Sequence, residues 1–109
     1  MTITEVENMM DEIGIPVSYY KFDEGSGIQP PFAVWYFPFS NDVMADNINY
    51  VDVRQLVIEL YTDEKDFELE ETIKQILIAH ELPCAYSEDY LSDEMMFVVS
   101  FESEVMLNA

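Results

Sequence analysis

The sequence predicts an α+β fold: a mostly antiparallel sheet with two helices on one face, in the order α-β-β-β-α-β-β. Three observations predict it. Two segments place apolar residues at helical spacing between start and stop signals. Five other segments are rich in β-branched and aromatic residues, some with two-residue alternation. Half of the 109 residues are hydrophobic and 14% are aromatic, enough to build one compact domain over residues 1–109 rather than a disordered acidic chain.

The first helix is expected from about Glu5 to Ile13. Thr4-Glu5-Val6-Glu7 has capping-box spacing, Val6, Met9, Met10 and Ile13 form the apolar stripe, and Gly14 and Pro16 supply the stop. Val17–Phe22 reads as a short strand, followed by a loop at Asp23–Gly27. Pro30 and Pro31 hold the chain extended ahead of the aromatic strand Phe32–Phe37, which Pro38 ends or places at an edge.

Ser40–Tyr50 is polar and acidic with Met44 at its centre. It is long for a hairpin loop and reads as an extended arm. Val51–Tyr61 is the third strand. Thr62–Asp66 offers several N-caps, and acids in the first turn suit the helix dipole, so a second helix is expected as far as Glu81, before Pro83. Glu70 and Lys74 have the spacing of a favourable pair. Ala85–Leu91 is the fourth strand, and Ser92-Asp93-Glu94 a tight turn. In the fifth strand, Met95–Val105, residues Met95, Phe97, Val99, Phe101 and Val105 face one way; Ser100, Glu102 and Glu104 face the other.

Charge restricts function. Twenty-three acids stand against Lys21, Arg54, Lys65 and Lys74, a net charge of −19. So few cations cannot neutralise a run of phosphates, so direct nucleic-acid binding is not expected, nor is binding to an anionic membrane surface. The charge suits a basic partner, mimicry of nucleic acid, or the wall of a passage to which DNA must not adhere. Cys84 is the single cysteine, which excludes an internal disulfide and fits a reducing compartment. Met1–Glu5 shows neither the basic nor the apolar region of a signal peptide, and no apolar run approaches membrane-spanning length.

No catalytic constellation emerges. His80 lies on the core stripe of the second helix with Leu69, Ile73, Ile76 and Leu77, where it can reach the last carbonyls. One His and one Cys four residues apart do not make a zinc site. Gly25-Ser26-Gly27 lacks the Lys-Ser/Thr of a phosphate loop. Asp42, Asp46, Asn47 and Asn49 resemble a calcium loop in composition alone. Neither a metal nor a cofactor is expected, and the chain is not expected to be an enzyme.

The residues that stand out are placed for contact. In the third strand Leu56, Ile58 and Leu60 point one way, and Val57, Glu59 and Tyr61 the other, with Trp35 or Tyr36 able to join them. A solvated sheet face accounts for that pattern; so does a subunit contact, half apolar and half acidic. Phe67 and Ile78 lie off the core stripe of the second helix, explained equally by cover from neighbouring loops or by a second contact surface.

Pro30–Asp46 (PPFAVWYFPFSNDVMAD), Leu56–Glu71 (LVIELYTDEKDFELEE) and Ser87–Val105 (SEDYLSDEMMFVVSFESEV) resemble, in order and spacing, the tail-completion proteins of long-tailed bacteriophages and prophages of Gram-positive bacteria, also called tail terminators or head-to-tail joining proteins. The resemblance covers nearly the whole chain. It implies a small α+β subunit that forms a ring, commonly hexameric, on the head-proximal end of the tail tube. There the ring would end tail growth and meet the head connector, so tube protein, connector and further copies of the chain are the implied partners. The implied location is the neck of the virion, and the host cytoplasm during assembly. Met44 and Asp46 on the arm, Val57, Glu59 and Tyr61 on the sheet, and Phe67 and Ile78 on the helix become the candidate contacts. A different reading of the same charge is an inhibitor that mimics DNA to block a nuclease or another DNA-binding protein.

Overall fold

The computed structural model describes residues 1–45 and 48–107, and within 43–50 the main chain alone. Its elements are α1 (Ile3–Asp11), β1 (Val17–Tyr19), β2 (Phe32–Tyr36), β3 (Val43–Ala45), β4 (Ile48–Thr62), α2 (Phe67–Ala79), β5 (Ala85–Leu91) and β6 (Met96–Leu107). The main sheet runs β1-β2-β4-β6-β5, and β3 pairs with the start of β4. Every pairing is antiparallel except β1 with β2. The α+β class and the expected order therefore hold, with β3 as a short addition drawn from Ser40–Tyr50.

The register separates the two faces of the sheet. Ala33 pairs with Leu60 and Trp35 with Ile58, while Leu60 pairs with Val99 and Ile58 with Phe101. These side chains share one face and meet Val6, Met9 and Met10 of α1 and Ile73 and Leu77 of α2 in one buried cluster. Both helices thus cover a single face. Complete burial of each Leu or Ile contributes about 1.5–3 kcal/mol, so these central residues carry much of the stability. Trp35 belongs to this core; of the two aromatics that could have joined the Glu59 face, Tyr36 is the one that does.

Several boundaries differ from expectation for local reasons. α1 begins two residues earlier, because Thr2 rather than Thr4 is the N-cap and its Oγ1 accepts from the Glu5 N–H at 3.1 Å. Thr2…Glu5 has the same three-residue spacing as Thr4…Glu7, and the earlier pair wins. β1 stops at Tyr19, since Tyr20 has φ 70°, a left-handed conformation unsuited to a strand. Met95 is likewise at φ 55°, so it closes the turn rather than starting β6, and it is exposed. α1 ends at Asp11 with Glu12 as its C-cap, two residues short of the expected Ile13, and Gly14 then turns the chain at φ 82°, which glycine adopts without the Cβ penalty.

Ser40–Tyr50 is not a free loop. Beyond β2 the chain stays beside β4: the Gln55 N–H donates to the Phe39 carbonyl at 3.0 Å and the Asn41 N–H to the Val53 carbonyl at 2.7 Å. The Val53 N–H is taken by Asp42 Oδ1 at 3.0 Å, and β3 then pairs with Ile48–Val51 around a bulge. The arm is a two-stranded ribbon built on an overlong β4. Met44 lies in it opposite Asn49; Asp46 lies outside the described residues.

Candidate partner-contact site

The face of the sheet turned away from the helices carries Phe32, Val34 and Tyr36 on β2, Val57, Glu59 and Tyr61 on β4, and Val98, Ser100 and Glu102 on β6. Two-residue alternation puts them there. The middle of this face is a carboxylate held by two phenols. Tyr36 Oη donates to Glu59 Oε2 at 3.2 Å, and Tyr61 Oη donates to Oε1 at 3.2 Å. A carboxylate offers about four acceptor directions; the two tyrosines use one on each oxygen and leave the others for an incoming donor.

The phenols respond to this setting. Partial burial first, and then the charge and hydrogen bond of Glu59, push the Tyr61 hydroxyl up to about 12. The same causes in the same order raise Tyr36. Both therefore stay protonated donors through the neutral range.

Aromatic rings frame the carboxylate. Phe32 stacks on Tyr61 at 5.0 Å between centroids, Phe22 meets Phe32 edge-on at 5.5 Å, and Tyr20 leans on Tyr36 at 5.0 Å. Tyr20 is largely exposed. Such a surface combines large rigid side chains with fixed polar anchors, the composition that favours protein contact. Val57 contributes less than expected as a direct contact, since 6% of it is exposed; it supports the floor while Tyr36, Glu59 and Tyr61 form the accessible surface.

Phe67 and Ile78 are 73% and 49% exposed. Neighbouring loops do not cover them. They share a flank of α2 with Glu70 and Lys74, and that flank overlooks β5. The Glu70–Lys74 pairing expected from spacing is replaced: Glu70, 6% exposed, has Oε2 2.6 Å from Lys65 Nζ, and its Oε1 accepts from Tyr86 Oη at 3.1 Å. Oε2 has no well-angled hydrogen bond, so charge rather than hydrogen-bond geometry holds it. Lys65 also contacts Glu88 and sits 4.8 Å from the centre of the Phe67 ring. Desolvation alone lowers its affinity for a proton, but its close contacts with Glu70, Glu88 and Tyr86 outweigh that, and its pKa is raised.

This lysine-centred cluster was not legible in the sequence, because Lys65, Glu70, Tyr86 and Glu88 come from three different segments. The one signal was a lone lysine amid acids. His80 also departs from expectation: its Nε2 lies 2.7 Å from Glu12 Oε2, tying α2 to the end of α1 instead of reaching its own helix carbonyls.

Among the described residues no three His, Cys, Asp or Glu side chains converge as a metal would require, and no helix is long and apolar enough to cross a membrane. The sequence matches no protein-family model and no curated protein.

Proposed function

We propose that this protein is a structural subunit of a phage tail, which assembles into a ring at the head-proximal end of the tail tube, ends tail growth and joins the tail to the head connector. The observation that carries the reading is the Tyr36–Glu59–Tyr61 face: a sheet surface uncovered by either helix, aromatic around a carboxylate with acceptor capacity left over. Ring closure requires two different patches on each subunit. The sheet face is our candidate for one, and the β3–β4 ribbon, which carries Met44, our candidate for the other. The net charge of −19 supports the same role, because a negative wall repels DNA passing through a narrow lumen where screening is poor.

Electron microscopy of particles from a phage or prophage deleted for this gene tests the proposal. Unjoined heads and tails of uncontrolled length are expected, with rescue by the wild-type gene and not by Glu59→Arg. Normal infectious particles would sink it. The charge also favours a second reading, a DNA mimic that blocks a DNA-binding protein or nuclease. That reading requires a basic target whose affinity falls steeply as salt rises, and a salt-dependent pull-down separates the two.

A further inference from the structure

The two edges of the sheet are finished differently. β1 is three residues long and ends just before the left-handed Tyr20. β5 is seven residues long, carries no proline and pairs with β6 without a register shift. Among the described residues nothing pairs with its outer side. An edge of about 23 Å exposes main-chain donors and acceptors to another strand; within it the Tyr90 N–H is already held by Asp89 Oδ1 at 2.8 Å.

What the edge accepts is set by charge. Antiparallel self-pairing centred on Glu88 would set Glu88 against its own copy, with Asp89 close to both, and like charges directly opposite destabilise a ladder. The same residues favour a basic strand. Beside the edge, under α2, runs a groove of about 400 Å³ lined by Phe67, Glu70, Glu71, Lys74, Tyr86 and Phe101 among others. Its environment already holds one ammonium group of this chain: Lys65 sits against Glu70 and Glu88 with the Phe67 ring beneath it. Tyr86, Glu88 and Tyr90 face the helix side of the sheet with Phe101, Val99 and Phe97, while Ser87 and Asp89 face the other. A strand added here would find a carboxylate within reach on either face.

We propose that the β5 edge and its groove bind an extended, lysine- or arginine-bearing segment of a different protein, which joins the sheet as a further strand. A second copy is excluded as the occupant by composition, since its four basic residues are scattered singly among 23 acids. The proposal does not depend on the ring, whose carrying observation, the Tyr36–Glu59–Tyr61 anchor, lies on the opposite face of the sheet.

The test is titration of the full-length protein with a peptide of about eight residues alternating lysine and valine, followed by amide resonances and hydrogen exchange. Three controls accompany it: the glutamate–valine counterpart, and the lysine peptide N-methylated at every second residue in each of the two phases. Shifts and new exchange protection along Ala85–Leu91 are expected, with no binding by the acidic peptide. One N-methylated phase should lose the protection. Asp89→Asn, which keeps an oxygen for the Tyr90 N–H while removing the charge, should weaken binding by about threefold. Shifts scattered over the acidic surface without β5 protection would overturn the proposal. So would equal binding by both N-methylated peptides, which would reduce the interaction to charge alone.

Discussion

Tyr36 reaches diagonally across the β2–β4 ladder to Glu59, past Val57, its own partner in the register. Diagonal neighbours on one sheet face lie within range of long aromatic side chains, and here the reach places a phenol on the carboxylate oxygen that Tyr61 leaves free. The sheet thereby builds a polar anchor from three residues on two adjacent strands, with no loop involved.

That anchor has a pH signature. Tyr61 has its folded pKa raised to about 12 from an ordinary value near 10. A raised pKa means that its contribution to stability is fully present below about pH 10 and is lost as pH rises through the folded value. Alkaline difference titration of wild type against Tyr61→Phe, read by phenolate absorbance, should show one tyrosine ionising late. Glu59→Gln should bring that ionisation earlier. An unchanged titration in Glu59→Gln would mean the carboxylate does not govern the phenol.

Phe67 separates folding from the assembly proposed above. Since it is mostly exposed, Phe67→Ser should change monomer stability by no more than about 0.5 kcal/mol while reducing any association that uses the α2 flank. Chemical denaturation checks the first, and rescue of infectivity in a deletion phage the second. A large loss of stability would show that Phe67 supports the fold through its contact with Lys65.

Lys65→Met should be costly for its size. It leaves the buried Glu70 carboxylate without its cation, and breaking a buried pair from one side costs about 3–5 kcal/mol; partial exposure of Lys65, whose side chain is 21% accessible, puts the expectation at the low end. Lys65→Met combined with Glu70→Leu should recover much of the loss. Urea denaturation of the two single variants and the double variant measures the coupling.

The start of α1 gives a sharp comparison. Thr2→Ala should destabilise by about 1 kcal/mol through loss of the N-cap, whereas Thr4→Ala, inside the helix and exposed, should be close to neutral. Thermal unfolding of the two variants decides which threonine caps.

Much of this architecture could be read from the residues. The Val6-Met9-Met10-Ile13 stripe and the Leu56-Ile58-Leu60 alternation impose their periods whatever surrounds them, and both became core. Glu59 was assigned to the correct face for the same reason. The partners of Glu59 were harder, because a diagonal contact depends on strand register, which no single strand encodes. Glu70 was given the wrong partner: helical spacing offered Lys74, and the lysine that holds it lies ahead of the helix. The arm misled because its polar composition resembles a loop, although its backbone is satisfied by β4.

β4 has a mechanical consequence. Its fifteen residues run from the ribbon, where they pair with β3, into the centre of the sheet between β2 and β6. At about 3.3 Å per residue the strand is about 50 Å long, comparable with the 49 Å long axis of the molecule. A pull on the ribbon would therefore travel along the central strand itself. Ladder hydrogen bonds stand perpendicular to the strands, so such a load falls on many of them at once, in shear, instead of peeling them one by one. The fold is built like a tension member, free at the ribbon and anchored along most of its length.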